Sequence, residues 1–372
     1  MKIQSNHVLR PFGRVGRALA TAALGSVLLA AAAGTSPSFA DNGKVYNFVV
    51  SNNFLGNDWR VQVEKLATLT AALPPFAGRV TVKVVNSQNT VQAQVSDLQS
   101  IVAGKPDAIL LIAGSDTALN PTVQKACDAG IKVLTLQTPI NLPCVWNVNN
   151  PFKDGMQAAG QWMAKTLGGK GNILIDRGIP GVSTSQDIVD GFKAGLTQYG
   201  PGIKIVGEFD GQFAAGPEQA GISSLLVANP DIQGIMTQGY CTPVFNAMKN
   251  AGKASVPATC FAYNGEMLAC AADGNKCAIL SASPSVIQQA MEIALDSLDG
   301  KPVPALGSTV FQKDATLYTT ANATVPLDGI KVNTEALESG KNVFPDLPQG
   351  MALPYSLPEF RDQIKPADAV GK

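Results

Sequence analysis

The chain has 372 residues, 45% of them hydrophobic, and its 28 basic and 28 acidic side chains give a formal net charge of zero at pH 7. No basic run marks a surface for a polyanion, so nucleic acid is not an expected partner. The single histidine, His7, lies in an N-terminal segment that resembles a cleaved leader, so the rest of the chain has neither Ser-His-Asp nor Cys-His catalysis nor a histidine-ligated metal site.

The first 40 residues have the pattern of a secretory signal peptide. A basic stretch is followed by an apolar run over 18–34 and by Ser-Phe-Ala at 38–40, which fits a small-x-small cleavage site. We expect export, with an uncleaved membrane anchor as the alternative. Cleavage would leave 24 basic and 28 acidic residues, a net charge of about −4. The remaining chain of about 330 residues is longer than a single hydrophobic core usually supports, so we expect two domains.

Apolar runs of strand length alternate with helical patterns along the chain. The helical pattern is clearest at 90–103, where apolar residues recur every three or four positions. Such alternation predicts parallel sheets that are covered by helices on both faces. The predicted strands are 45–50, 80–85, 108–112, 133–136, 173–175, 203–206, 232–236 and 259–263.

An internal repeat divides the chain into two similar halves. Residues 96–114 align with residues 222–239, and the Pro-Asp pair at 106–107 recurs at 230–231. We therefore expect two α/β lobes. In open parallel sheets ligands bind outside the carboxyl ends of the strands, so two facing lobes would form one cleft.

Six cysteines in an exported chain are expected to form disulfides. Their spacing favours three local pairs, although six cysteines allow 15 connectivities and a zinc site is the competing interpretation. The turn residues between the last two cysteines make that pair the strongest prediction. The favoured pairs are Cys127 with Cys144, Cys241 with Cys260, and Cys270 with Cys277.

Several stretches, in order, resemble the ribose/galactose-type periplasmic substrate-binding proteins of ABC transporters. They span about 44–315 and read VVSNNFLGNDWR (49–60), VVNSQNT (84–90), KPDAILLIAGSD (105–116), GIKVLTLQT (130–138), GIPGVSTSQDIVDGF (178–192), ANPDIQGIMTQG (228–239) and FAYNG (261–265). The resemblance implies an α/β fold of two Rossmann-like lobes, each a parallel sheet flanked by helices, joined by three crossovers. The implied parts are a signal peptide (1–40), an N-terminal lobe (41–147 plus 284–312), a C-terminal lobe (148–283 plus 313–330) and an extension wrapping a lobe (331–372).

The resemblance also implies which positions contact a ligand. This chain has Gln137-Thr138 where sugar binders of the family usually have Asp-Arg, and it has Gln186, Gly239 and Asn264 where they have Arg, Asn and Asp. The expected pocket is therefore rich in amides and nearly uncharged. Together with three aromatic candidates for stacking on a sugar ring, the predicted ligand-binding residues are Ser51, Asn52, Asn53, Asn57, Trp59, Arg60, Asn89, Gln137, Gln186, Phe213, Gly239, Tyr240 and Asn264.

Some of these residues have a structural alternative. Asn53 or Asn57 fits the N-cap of a helix that starts near Asp58. Trp59 and Tyr240 could pack within their own lobes. Arg60 stands where the helix dipole disfavours a cation, which suggests a ligand contact, but a surface salt bridge to Asp58 or Glu64 is the alternative.

The function expected from the residues and the resemblance is binding without catalysis. The chain would be a periplasmic, monomeric protein of a Gram-negative bacterium, without metal or cofactor. It would capture a small neutral polyol, above all a monosaccharide, and deliver it to the membrane permease of an ABC transporter. The alternatives are a small acid, a signalling molecule or a nucleoside as ligand, or a sensory role at a chemoreceptor.

Overall fold

The computed structural model describes residues 43–272, 274–312, 315–320, 331–334, 337, 344 and 346–370. The predicted signal peptide lies outside these residues. Residues from Gly43 onward form one unit with two sheets. None of the helices described is long and apolar enough to span a membrane.

The strands of the described residues follow the predicted apolar runs. Each of the eight predicted strands overlaps an observed one. The strands are β1 (Tyr46–Asn52), β2 (Val80–Asn86), β3 (Ala108–Ile112), β4 (Lys132–Leu136), β5 (Val145–Asn149), β6 (Lys170–Asp176), β7 (Gly202–Phe209), β8 (Gly234–Met236), β9 (Ala258–Phe261), β10 (Cys277–Leu280), β11 (Thr309–Phe311), β12 (Thr316–Thr319) and β13 (Lys331–Asn333).

Helices connect most of these strands. Long helices follow the strands in both halves, as expected for parallel sheets, whose strands need crossover connections. The helices described are α1 (Asp58–Ala71), α2 (Val91–Ala103), α3 (Asn120–Asp128), α4 (Phe152–Thr166), α5 (Ser183–Tyr199), α6 (Ala215–Ala228), α7 (Thr242–Asn250), α8 (Asn264–Ala271), α9 (Val286–Leu298), α10 (Pro358–Arg361) and α11 (Pro366–Ala369).

The strands form two sheets, and each sheet with its helices is called a lobe below. The first lobe has the strand order β11-β5-β4-β3-β1-β2, with parallel pairs. The second has the order β13-β12-β10-β9-β8-β6-β7, in which β12 is antiparallel to β10. The chain changes sheet between β5 and β6, between β10 and β11, and between β11 and β12. The predicted α/β fold of two lobes is confirmed.

The residue limits predicted for the lobes stay a prediction. Lys331–Asn333, predicted as the start of the extension, forms β13 beside β12 in the second sheet. Residues 346–370, called the C-terminal segment below, hydrogen-bond to both lobes. Gln62 of α1 donates to the carbonyl of Gly350 at 2.7 Å and accepts from the N–H of Ala352 at 2.9 Å. In the second lobe, the N–H of Asn264 donates to the carbonyl of Met351 at 2.8 Å.

All six cysteines are paired, and the predicted grouping is confirmed. The disulfides are Cys127–Cys144 in the first lobe and Cys241–Cys260 and Cys270–Cys277 in the second. The sulfurs of Cys241, Cys260 and Cys270 lie within 4.8 Å of one another. Metal ions bind thiolates, and these sulfurs are oxidised, so the cluster is two neighbouring disulfides in place of a zinc site.

Candidate ligand-binding site

A cavity of about 280 Å³ lies between the carboxyl ends of the two sheets. Residues of both lobes line it, as the strand-end argument predicts. From the first lobe it is lined by Asn53, Asn57, Trp59, Arg60, Asn89, Thr90, Val91, Ile112, Ala113, Gly114, Gln137 and Thr138. The remaining lining is Phe152, Ile179, Pro180, Val182, Thr184, Phe213, Gln238, Gly239, Phe261, Tyr263 and Ala282.

The loop after β1 supplies the polar end of the cavity. Asn57 caps α1, because its Oδ1 accepts the N–H of Arg60 at 3.1 Å. Its Nδ2 also reaches the carbonyl of Phe213 in the second lobe at 3.4 Å. The capping alternative for Asn57 is thus confirmed, and the same side chain lines the cavity.

Arg60 is a buried cation at the cavity wall, with 9% of its surface exposed. Its guanidinium donates to Oδ1 of Asn52 and lies 4.2 Å from the ring centroid of Phe54. Asn52 is held in turn by Glu64, whose Oε1 accepts from Nδ2 of Asn52 at 2.7 Å. Burial lowers the pKa of Arg60 to about 9, so the side chain is still charged at pH 7.

The surface salt bridge considered for Arg60 is not formed with either described carboxylate, Asp58 or Glu64. A guanidinium has five N–H donors, and a buried charge is costly unless its donors are satisfied. The group therefore favours a ligand that brings hydrogen-bond acceptors to the cavity.

Four buried polar atoms of lining residues have no partner within the described part of the chain. Two are amide oxygens, Oδ1 of Asn53 and Oε1 of Gln238, and two are N–H donors, Nε1 of Trp59 and Nε2 of Gln137. Each of these side chains is less than 9% exposed. Leaving such atoms unpaired costs about 1–3 kcal/mol each. A ligand that both donates and accepts hydrogen bonds would satisfy them.

Three lining residues that are not glycine adopt the left-handed backbone region. The φ angles are +54° at Asn89, +68° at Gln137 and +53° at Phe213. Asparagine tolerates this region, but a bulky residue such as Phe adopts it only under constraint from the fold. Strain of this kind concentrates at ligand sites, and all three residues were predicted from the sequence as ligand contacts.

Aromatic rings form the apolar part of the wall. Phe261 lies between Phe152 and Phe213, with ring centroids 5.1 and 6.4 Å away. Tyr263 lines the cavity and stacks on Tyr240, which lies behind it at 4.9 Å. Together with Trp59 these rings offer flat surfaces that match the C–H face of a sugar ring.

The lobes are joined by hydrogen bonds across the cleft. Oγ1 of Thr184, at the start of α5, donates to the carbonyl of Gln137. The N–H of Ser183 donates to Oδ2 of Asp116 at 2.9 Å. These contacts hold the two halves of the cavity together in the arrangement described.

Eight of the thirteen predicted ligand-binding residues line the cavity. They are Asn53, Asn57, Trp59, Arg60, Asn89, Gln137, Phe213 and Gly239. The five others lie elsewhere, and ligand contact by them stays a prediction. Ser51 and Asn52 are buried in β1, Gln186 is exposed on α5 and donates to Asp190, Tyr240 packs behind Tyr263, and Asn264 donates to the carbonyl of Leu347 at 2.7 Å.

Sequence reasoning missed several lining residues that neighbour a predicted one. Gln238 precedes Gly239, Tyr263 precedes Asn264, and Thr184 lies two positions before Gln186. Their position after a strand or at a helix start was the available signal. Phe152 begins α4 and Phe261 ends β9, and both were missed because an aromatic residue at either position looks the same as core.

Two α/β lobes with a cavity between their strand ends define a bilobal ligand-binding protein. A model of the family described as periplasmic binding protein domain matches residues 48–302. The match covers more than half of the chain, so the chain belongs to this family.

Relatives and solved structures agree with this assignment. The chain is 25% identical to the ribose import binding protein of Bacillus subtilis over 272 residues, 72% of this chain and 86% of that protein. It is 29% identical to the xylitol-binding protein of Mycolicibacterium smegmatis over 181 residues, 46% of this chain and 50% of that protein. The crystal structure of an ABC transporter solute binding protein from Thermobispora bispora matches with a TM-score of 0.64 and 26% identity, covering 72% of this chain and 85% of that one.

Proposed function

We propose that the chain is a periplasmic solute-binding protein that captures a small neutral polyol, above all a monosaccharide, between its lobes. It acts as a monomer, delivers the ligand to the permease of an ABC transporter and catalyses no reaction. The observation that carries the proposal is one cavity lined by residues of both lobes, among which Asn53, Trp59, Gln137 and Gln238 each have a buried polar atom without a partner in the described chain.

Hydroxyl groups fit this set because each one donates and accepts at once. The cavity of about 280 Å³ lies near the lower end of the range for small-molecule sites, which favours a ligand of monosaccharide size. No carboxylate belongs to its described lining, and Arg60 is the one cation there. The ribose and xylitol named for two relatives are of this class.

Binding and closure are linked in this proposal. A ligand that contacts Gln137 in the first lobe and Gln238 in the second stabilises the closed arrangement relative to an open one. The permease would then bind the closed form. Export through the predicted signal peptide would place the protein in the periplasm.

A thermal-shift measurement on the purified protein tests the proposal. The panel contains D-ribose, xylitol, D-allose and L-arabinose, with D-gluconate as a small acid and adenosine as a nucleoside. A ligand at 100 times its Kd stabilises the native state by about 2.7 kcal/mol, so Tm should rise with at least one neutral polyol. A rise with gluconate or adenosine alone would contradict the proposal, as would turnover of the bound compound.

A further inference from the structure

Two carboxyl groups lie buried behind the second-lobe wall of the cavity. Asp176 ends β6 and Glu218 lies in the first turn of α6, and both have 0% of their surface exposed. Neither belongs to the cavity lining, and neither forms an ion pair with a described cation. The neighbouring cation, Arg177, is directed to Asp210 at 2.9 Å.

Backbone N–H groups from three separate loops converge on Asp176. Its Oδ1 accepts from Gly178 at 2.7 Å and from Gly211 at 2.6 Å, and its Oδ2 accepts from Gln238 at 3.0 Å. Glu218 adds a fourth bond, because its Oε2 accepts from the N–H of Tyr240 at 3.0 Å. Burial raises the pKa of Asp176, whereas the three donors act in the opposite direction and favour its ionised form.

The same three loops carry lining residues. Ile179 follows Gly178, Phe213 lies two positions after Gly211, and Gln238 and Gly239 line the cavity themselves. The loops at 178–180, 211–213 and 238–240 are called the wall loops below. Asp176 and Glu218 together therefore accept backbone N–H groups from all three wall loops. Each of these N–H groups belongs to a lining residue or lies within two residues of one.

The two carboxyl side chains are neighbours at the backbone of Gly211. A Cβ atom added to Gly211 would overlap Oδ2 of Asp176 and lie 2.6 Å from Cγ of Glu218. Two neighbouring buried carboxylates disfavour each other's ionisation, and Oε1 of Glu218 has no other hydrogen-bond partner in the described chain, so a proton on it is available to Asp176. Burial and the charge of Asp176 raise the pKa of Glu218 well above its usual range, so Glu218 holds that proton.

Glu218 also explains the glycine at 239. A Cβ atom on Gly239 would lie 2.6 Å from Oε1 of Glu218. The carboxyl of Glu218 thus fills the space that a side chain at 239 would take, where sugar binders of the family usually have Asn.

We propose that Asp176 and Glu218 share one proton and act as positioning residues, holding the three wall loops in the geometry that the second-lobe half of the cavity requires. The positioning itself is independent of the ligand, whereas its effect on affinity rests on the proposed function. The other titratable groups that face the pair are Glu266 of α8 and the phenols of Tyr240 and Tyr263.

Amide hydrogen exchange of the ligand-free, full-length protein at pH 7 tests the positioning role through Asp176→Asn. The asparagine keeps one acceptor oxygen but turns an NH₂ group toward N–H donors. We expect the amides of Gly178, Gly211 and Gln238 to exchange at least tenfold faster, while amides of β6 and β9 stay within threefold of the wild type. Unchanged exchange at the three amides, or a uniform increase through the second sheet, would overturn the proposal.

Variants at Glu218 test the shared proton and keep the proposal falsifiable if Asp176→Asn does not fold. Glu218→Ala should raise exchange at Tyr240 and the wall loops at least tenfold, and Glu218→Gln should recover most of that loss, because Gln donates to Asp176 and accepts from Tyr240. After correction for base catalysis, exchange in the wall loops of the wild type should rise with pH as the pair loses its proton. Glu218→Gln should remove that rise, and equal pH profiles would overturn the proposal.

Glu266→Gln is the matched control. Glu266 is another buried carboxyl of the second lobe that accepts two N–H groups, from Cys241 at 2.8 Å and Thr242 at 2.7 Å, but neither donor lines the cavity. Its variant should leave wall-loop exchange within threefold of the wild type, and a tenfold rise would contradict a specific role for the pair.

Calorimetric titration with D-ribose and xylitol then tests the effect on affinity. Absence of binding in the wild type would count against the proposed function and leave the exchange result standing.

Discussion

At the scale of single residues, Gln137 connects several parts of the site. Its backbone has a φ of +68°, and its carbonyl accepts from Thr184 of the other lobe. Its Oε1 accepts from the N–H of Asn150 at 3.0 Å, which leaves Nε2 as an unpartnered donor at the cavity. Gln137 thus combines a strained backbone, a hydrogen bond between the lobes and a side-chain N–H donor without a partner among the described residues.

Gln137→Asn should weaken binding of the sugar identified by thermal shift about tenfold, equivalent to about 1.4 kcal/mol. Asparagine tolerates the left-handed backbone, so the change shortens the side chain without adding strain. Calorimetric titration measures the loss. The matched control is Gln124→Asn on α3, where the side chain bonds Asp128 away from the cavity and affinity should stay the same. Equal affinities of the Gln137 variant and the wild type would contradict the assigned contact.

The predicted ligand contacts either line the cavity or lie within two residues of a lining residue. Asn53, Gln137 and Gly239 could be found because the carboxyl ends of parallel strands meet at one edge. Thr184 lines the cavity two positions before the predicted contact Gln186, and two positions on a helix differ by about 200° in direction. Direction around a helix or turn depends on the final packing and could not be derived from spacing alone.

At the scale of elements, the contact between α9 and α10 brings two acidic side chains together. Glu292 of α9 is largely buried beside Glu359 of α10 and Asp296 of its own helix. Burial, then the charges of Glu359 and Asp296, raise the pKa of Glu292 to about 7. A carboxyl with a raised pKa stabilises the fold below its usual pKa, and that stability is lost as pH rises through about 7.

Glu292→Gln should therefore reduce the loss of stability between pH 5 and pH 8. The effect on the free energy of unfolding should be on the order of 1 kcal/mol after discounting for solvent screening. Denaturant unfolding at the two pH values measures it. Glu359→Gln removes the repelling partner and should change the slope in the same direction. A slope equal to that of the wild type in both variants would refute the assignment.

The strands that consist of an apolar run could be predicted from sequence, whereas several others could not. β3 is an uninterrupted apolar run that is buried along its length. β5 contains two asparagines, and the exposed residues of β11 give no apolar run. Such strands form because they pair with the edge of a neighbouring strand. That neighbour is set by the tertiary fold, so the local sequence does not reveal the pairing.

At the scale of the whole molecule, the C-terminal segment joins the lobes at a second place besides the crossovers. Gln62 bonds Gly350 and Ala352 from the first lobe, and Asn264 bonds Met351 from the second. The family match ends at 302, so this segment lies beyond it. Contacts between residues 288 positions apart could not be predicted from a single sequence.

Gln62→Ala should lower the free energy of unfolding by about 2 kcal/mol, because it leaves the half-buried carbonyl of Gly350 and the buried N–H of Ala352 without their partner. Hydrogen exchange should also increase at 349–353 more than elsewhere. Gln124→Ala is the control, since the side chain of Gln124 bonds Asp128 within α3. Equal stability of the two variants would show that the segment is not held through Gln62.

The placement of the disulfides has a mechanical consequence. Each bond closes a chain separation of 17, 19 or 7 residues within one lobe, so none of the three links one lobe to the other. The covalent cross-links therefore constrain each lobe internally and leave the junction between the lobes to the crossovers and the C-terminal segment. A reducing environment would loosen the two lobes and leave that junction without any covalent change.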